Sequence, residues 1–170
     1  MATFTQVVHT APYPAISPSL GGLSQNGKTV LITGGSAGIG YAIARAFAQA
    51  SASVIIICGR RTELVTSAAS KLAKETPGFQ GRVIGRTCDV ADLFSVDALW
   101  TGLQKENIFV DVLVLNAARI QAKGPLLETE LEEVWAEFLT NVRAILDFSQ
   151  RFHNQNGLSE LGQKKVCFHT

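Results

Sequence analysis

From Lys28 onward, apolar positions alternate between two spacings. Thr29-Val30-Leu31-Ile32-Thr33 is a short, largely β-branched run that ends in glycines, the mark of a buried strand. Ile39, Ile43, Ala46, Phe47 and Ala50 then recur at helical spacing and predict an amphipathic helix along that stripe. Ser53 to Cys58 predicts a second strand. Leu64, Val65, Ala68, Ala69 and Leu72 predict a helix that stops before Pro77-Gly78. Arg82 to Cys88 reads as a third strand, and Leu93, Val96, Leu99, Trp100 and Leu103 line one face of the helix after it. Val110 to Leu115 is the fourth strand. A long helix should follow, opened by the capping-box pattern Thr129-x-x-Glu132. Its apolar stripe runs through Leu131, Val134, Trp135, Phe138, Leu139, Val142, Ile145 and Leu146. Lys165 to Phe168 is the start of a fifth strand.

Mostly apolar strands separated by helices predict a parallel sheet covered on both faces. With right-handed crossovers this is a doubly wound α/β fold. Residues 28–170 form that domain. Residues 1–27 differ: they hold Pro12, Pro14 and Pro18 and no Asp, Glu, Lys or Arg, and are expected to be an extended or disordered arm. The arm lacks the basic start of a secretory signal and the arginines of a mitochondrial leader.

Composition narrows the class. The chain has 170 residues with 15 basic and 14 acidic side chains, too balanced for a nucleic-acid-binding face. Its three cysteines are an odd number at no metal-ligand spacing, so neither a disulfide framework nor a metal site is expected. No apolar run is long enough to span a membrane. The expected compartment is the cytoplasm.

The first strand runs directly into Thr33-Gly34-Gly35-Ser36-Ala37-Gly38-Ile39-Gly40 and then a helix. Glycines there permit a tight turn and let a pyrophosphate approach the backbone at the positive end of the helix. The alternative is a purely structural turn. About 20 residues on, strand two ends in Cys58-Gly59-Arg60-Arg61, where an acidic residue would bind the ribose 2′-hydroxyl of NAD and an arginine the 2′-phosphate of NADP. Arg60 favours NADP, through a charge-assisted contact to phosphate. A solvated helix start is the plainer reading of the two arginines.

The pattern Thr-Gly-x-x-x-Gly-x-Gly resembles the short-chain dehydrogenase/reductase family, whose fold is a Rossmann-like doubly wound sheet, and the resemblance extends from about Lys28 to the last strand. It implies cofactor contacts for Gly34, Ser36, Gly38, Ile39, Gly40 and Arg60. It implies that Asp89, at the end of strand three, contacts adenine, although Asp at a strand end is also an ordinary turn residue. Leu115-Asn116-Ala117-Ala118 is similar to the family's Asn-Asn-Ala-Gly in its second and third positions only. There Asn116 would tie the central strand to the cofactor ribose region. Asn141-Val142-Arg143 resembles the segment whose asparagine supports a proton relay, which implies a catalytic role for Asn141 and a cofactor contact for Arg143. An amide satisfied locally at a helix kink is the other reading of Asn141.

The resemblance also implies a serine after strand five and a Tyr-x-x-x-Lys pair on the next helix. The two tyrosines of this sequence, Tyr13 and Tyr41, are not followed four positions later by lysine. A shortened form is expected, with a sheet incomplete at its C-terminal side. Thr170 is a poor stand-in for the serine. The expected function is an NADP-dependent oxidoreductase acting on a small-molecule carbonyl or alcohol, in a style similar to members found in fungal secondary metabolism. The alternative is a non-catalytic NADP-binding or interaction fragment. No nucleic-acid or membrane partner is expected, and a homo-oligomer only with the missing part present. A methyltransferase on a similar sheet would want an acidic residue where Gly59-Arg60 stands.

Overall fold

A computed structural model describes residues 13–120, 124–155 and 165–168, the last segment by its backbone alone. Five strands, β1 (Thr29–Thr33), β2 (Val54–Gly59), β3 (Arg82–Thr87), β4 (Val112–Leu115) and β5 (Lys165–Phe168), form one sheet in the order β3-β2-β1-β4-β5. All four pairings are parallel, with Leu31 opposite Ile56 on one side and Leu113 on the other. The chain therefore moves outward from β1 to β3, crosses back, and continues from β4 on the other side. That reversal opens a crevice beyond the carboxyl ends of β1 and β4.

Alternate strand residues serve two cores, as the period of two requires. Val30, Ile32, Ile55 and Ile57 pack against α1 (Gly38–Gln49) and α2 (Thr62–Glu75) through Ala44, Ala48, Val65 and Leu72. Leu31, Ile56 and Leu113 face the opposite side and meet α3 (Leu93–Lys105) and α5 (Ala144–Asn154) through Val96, Leu103, Phe148 and Phe152. This is the expected α/β sheet with helices on both faces. α2 ends at Glu75, before Pro77-Gly78, as predicted.

Three expectations are corrected. α1 does not bury all of its predicted stripe. Ile39 is exposed, and the helix approaches the sheet on Gly40, Ala44 and Ala48, with Ile43 and Phe47 flanking. The capping box does not form. Helix α4 (Leu131–Phe138) starts two residues after Thr129, whose hydroxyl instead donates to the Pro125 carbonyl at 3.1 Å. The long helix is also interrupted. A π-helical turn, Leu139–Arg143, joins α4 to α5. Its wider turn changes the helical phase, and the buried side of α5 becomes Ala144, Phe148 and Phe152. Much of the predicted stripe faces outward: Leu131 is 69% exposed, Trp135 59% and Leu146 59%.

Of the predicted arm, residues 1–12 lie outside the described residues. Tyr13 to Gly27 has two single 3-10 turns, Pro14–Ile16 and Gly21–Leu23, with no buried residue in either. Its end is held by the domain, where Gln25 N–H donates to the Ala50 carbonyl and Gly27 N–H to Ser53 Oγ, each at 2.7 Å. Among the described residues, no helix is long and apolar enough to cross a membrane.

The helical phase gives a direct test. Phe148→Ala should destabilise the chain by about 3–5 kcal/mol in urea unfolding, whereas Leu146→Ala should stay within about 0.5 kcal/mol. A second test concerns the contact between α1 and α2, where the Tyr41 phenol donates to Glu75 Oε2 at 2.9 Å. Partial burial, and then the hydrogen bond, push the phenol from 10.0 up to about 12. Because the folded value is raised, this contribution is complete below about pH 10 and fades as pH climbs through about 12. Tyr41→Phe should remove the upper component of a phenolate absorbance titration.

Candidate functional site

The floor of the crevice is the junction of β1 and α1. Gly34 (φ +66°) and Gly38 (φ +56°) adopt left-handed conformations that favour glycine. Gly40 is demanded by proximity: a Cβ there would lie 2.5 Å from Asn116 Nδ2 and closer still to the Gly34 carbonyl oxygen. A Cβ on Gly38 would meet nothing within 4 Å, so the space in front of it is open. α1 starts at Gly38 without a side-chain cap, leaving its first amide groups unpaired within the helix and its positive end facing the opening. Gly34, Ser36, Gly38, Ile39 and Gly40 all line this crevice, whose volume is about 740 Å³.

The floor is locked to β4 by one buried hydroxyl. Thr33 Oγ1 donates to the Val114 carbonyl at 3.4 Å and accepts from the backbone N–H groups of Asn116 (2.9 Å) and Ala117 (3.0 Å). Asn116 reciprocates. Its Nδ2 donates to the carbonyls of Thr33 at 2.9 Å and Gly34 at 3.3 Å. The amide holds the glycine turn in shape and also lines the crevice.

One wall comes from β2 and β3. Gly59 ends β2, Arg60 and Arg61 follow it, and both arginines are exposed where the crevice opens. The position expected to carry an acidic side chain is Gly59, where a Cβ would lie 3.6 Å from Ser36 Oγ. Asp89, after β3, lines the same wall, while its Oδ1 accepts from Ala91 N–H at 3.0 Å. It is therefore both a turn former and a crevice residue. Cys58 lies against Cys88, itself part of this wall, and that contact together with full burial pushes the Cys58 thiol well above its ordinary range.

The opposite wall is β4's extension, Asn116 to Ile120, together with Leu139 and Thr140 from the helical segment. Asn141, in the π turn, accepts from Arg119 N–H at 2.9 Å and donates to the Arg119 carbonyl at 2.7 Å. Its amide is thus satisfied by the β4 extension, 22 residues away along the chain, and not within its own helix, and Asn141 is not among the crevice-lining residues. Arg143 also lies outside the crevice lining. Its guanidinium donates to the Ala91 carbonyl and links the π turn to the loop after Asp89.

Of the residues singled out by sequence, Gly34, Ser36, Gly38, Ile39, Gly40, Arg60, Asp89 and Asn116 converge on one crevice. Asn141 and Arg143 brace its walls from outside. Arg119 was missed. It lines the crevice, and its Nε is buried with no hydrogen-bond partner. A basic residue directly after a strand-end Asn-Ala-Ala was the available signal. The arrangement suits a long, multiply charged anion, with glycine backbone and a helix N-terminus at the centre and guanidinium groups at both ends. Among the described residues, no set of three His, Cys, Asp or Glu gathers to hold a metal. A second crevice of about 640 Å³, near the C-terminal ends of α3 and α5, has its cation already paired, Arg151 with Asp97 at 2.9 Å and Asp147 at 2.8 Å.

Residues 28–159 match the family model described as short chain dehydrogenase. The chain is 36% identical over 152 residues to the short chain dehydrogenase pigC of Monascus ruber, covering 87% of this chain and 48% of that one. It is 37% identical over 118 residues to the chloroplastic chlorophyll(ide) b reductase NOL of Oryza sativa subsp. japonica, covering 69% and 34%. The chain thus spans about half or less of the length of these relatives. Among solved structures, it resembles L-sorbose reductase from Gluconobacter frateurii complexed with NADPH and L-sorbose, with a TM-score of 0.68 and 29% identity over 76% of this chain and 47% of that one. It likewise resembles a short chain dehydrogenase from Burkholderia cenocepacia in complex with NADP, with a TM-score of 0.68 and 30% identity over 79% and 53%.

The Thr33 hydroxyl offers a clean perturbation. Thr33→Val leaves the Asn116 and Ala117 amides without their acceptor and should lower unfolding stability by about 2–4 kcal/mol. Thr33→Ser keeps the hydroxyl and should recover most of that loss in the same denaturation series.

Proposed function

The chain belongs to the short-chain dehydrogenase family, and from that premise we propose that its crevice binds NADP(H) in the service of oxidoreduction of a small-molecule carbonyl or alcohol, in the cytoplasm. The observation that carries this reading is the pairing of a Cβ-free floor at the N-terminus of α1 with Arg60 and Arg61 at the end of β2, where Gly59 presents no acid. Gly34, Ser36, Gly38, Ile39 and Gly40 would face the pyrophosphate, Arg60 the 2′-phosphate, Asp89 the adenine amino group and Asn116 the ribose side of the turn. Bound there, the cofactor supplies or accepts a hydride.

What this chain's own residues contribute is binding and orientation. The amides at the start of α1 meet negative charge, and the Arg60 guanidinium recognises phosphate bidentately. Asp89 accepts a hydrogen bond from an amino group. Asn141 holds the Arg119 peptide on both sides and so sets the wall that faces the reacting end. We extend to Asn141 the relay role its segment implies, and to Arg143 an indirect part in cofactor binding through the Ala91 loop. The acid/base tyrosine and its lysine have no counterpart in this sequence, so no proton-transfer step is assigned to one here. The similarity to a Monascus dehydrogenase supports a setting in fungal secondary metabolism.

Isothermal titration tests this directly. The chain should bind NADPH more tightly than NADH, and S-adenosylmethionine not at all. Replacing Arg60 and Arg61 together by Gln should lower the NADPH-over-NADH preference about tenfold or more. Equal affinity for the two dinucleotides in the unsubstituted chain would remove the NADP reading.

A further inference from the structure

Among the described residues, Arg119 is the one crevice arginine apart from Arg60 and Arg61. The sheet order places β2 and β4 on either side of β1. Arg60 and Arg61 therefore stand at one end of the crevice and Arg119 at the other, with the N-terminus of α1 between them. The β4 extension is pressed against the glycine turn: a Cβ on Gly34 would lie 3.1 Å from the Ala117 Cα. Arg119 follows two residues later, so an arginine side chain there is long enough to reach an anion in front of α1.

Two further features mark this side chain as a ligand-binding group. Its peptide is fixed by the Asn141 amide at 2.9 and 2.7 Å, so the root of the side chain is held. Its Nε is buried and without a partner, so turning the guanidinium toward an anion in the crevice would break no hydrogen bond at that nitrogen. Arg143 has a buried, unpaired Nε as well, but its guanidinium is engaged at the Ala91 carbonyl and Arg143 is not among the residues that line the crevice.

We propose that Arg119 is a cofactor-binding residue that grips the phosphate on the nicotinamide half of the dinucleotide, complementing Arg60 and Arg61 at the adenosine end. This rests on the NADP(H) reading above, which assigns the adenosine half to the β2 end and leaves the other half of the ligand toward β4.

The test compares two ligands that share the adenosine half. NADPH carries the nicotinamide-side phosphate and 2′,5′-ADP lacks it. By isothermal titration, Arg119→Gln should weaken NADPH about tenfold, as expected for one charge-assisted contact, and leave 2′,5′-ADP unchanged. Arg119→Lys, which keeps the charge without the planar fork, should fall between the two. Unchanged NADPH affinity in Arg119→Gln overturns the assignment and leaves the side chain free for an anionic group of the substrate. Equal weakening of both ligands also overturns it, since that would report a general disturbance of the crevice. If the unsubstituted chain binds neither ligand, the cofactor reading itself falls and this assignment falls with it.

Discussion

The rest of the site depends on how closely two backbones approach where β1 turns into α1. At Gly40 the helix lies so near the Gly34 carbonyl and the Asn116 amide that no side chain fits between them. That approach brings the first turn of the helix to the mouth of the sheet, where its unpaired amides face open space. Moving the helix outward to admit a methyl group would break the bonds from Asn116 to the carbonyls of Thr33 and Gly34. Strand β4 would then be tied to the turn through the Thr33 hydroxyl alone.

Around that contact, four braces of the crevice run from a side chain to a backbone. Thr33 and Asn116 join β1 to β4, Asn141 joins the π turn to the β4 extension, and Arg143 joins it to the loop after β3. The π turn thus serves both walls from one short stretch of helix. Its extra residue also sets the buried side of α5 on Phe148 and Phe152, leaving Leu146 exposed. Burial and bracing are therefore linked through a single local irregularity.

Strands were legible because β-branched apolar runs between turn signals have few other uses. Their edges were less so. β4 begins at Val112 and not at Val110, because the Gln155 side chain bonds both backbone groups of Val110, and Asp111 turns a carboxylate oxygen to Thr29 N–H. The glycine turn was legible since positive φ and close approach restrict the choice of residue. Helical phase was harder: in α1 the smallest residues, which carry little weight in a hydrophobic pattern, make the closest contact. In the long helix no spacing rule announces a π turn. Arg119 escaped notice because its setting comes from Asn141, 22 residues away along the chain. The same distance hid the use to which the Asn141 amide is put.

Because the braces end on peptide groups, they make no demand on the identity of the residues whose backbone they hold. Ala118, which is exposed, and Arg119 stand on a segment held at its main chain, so the braces themselves do not dictate their side chains. The frame and its lining can therefore drift independently. Substitutions on the β4 extension can re-shape what the crevice accepts without passing through a misfolded intermediate, so one fixed turn can be inherited by proteins with very different ligand preferences.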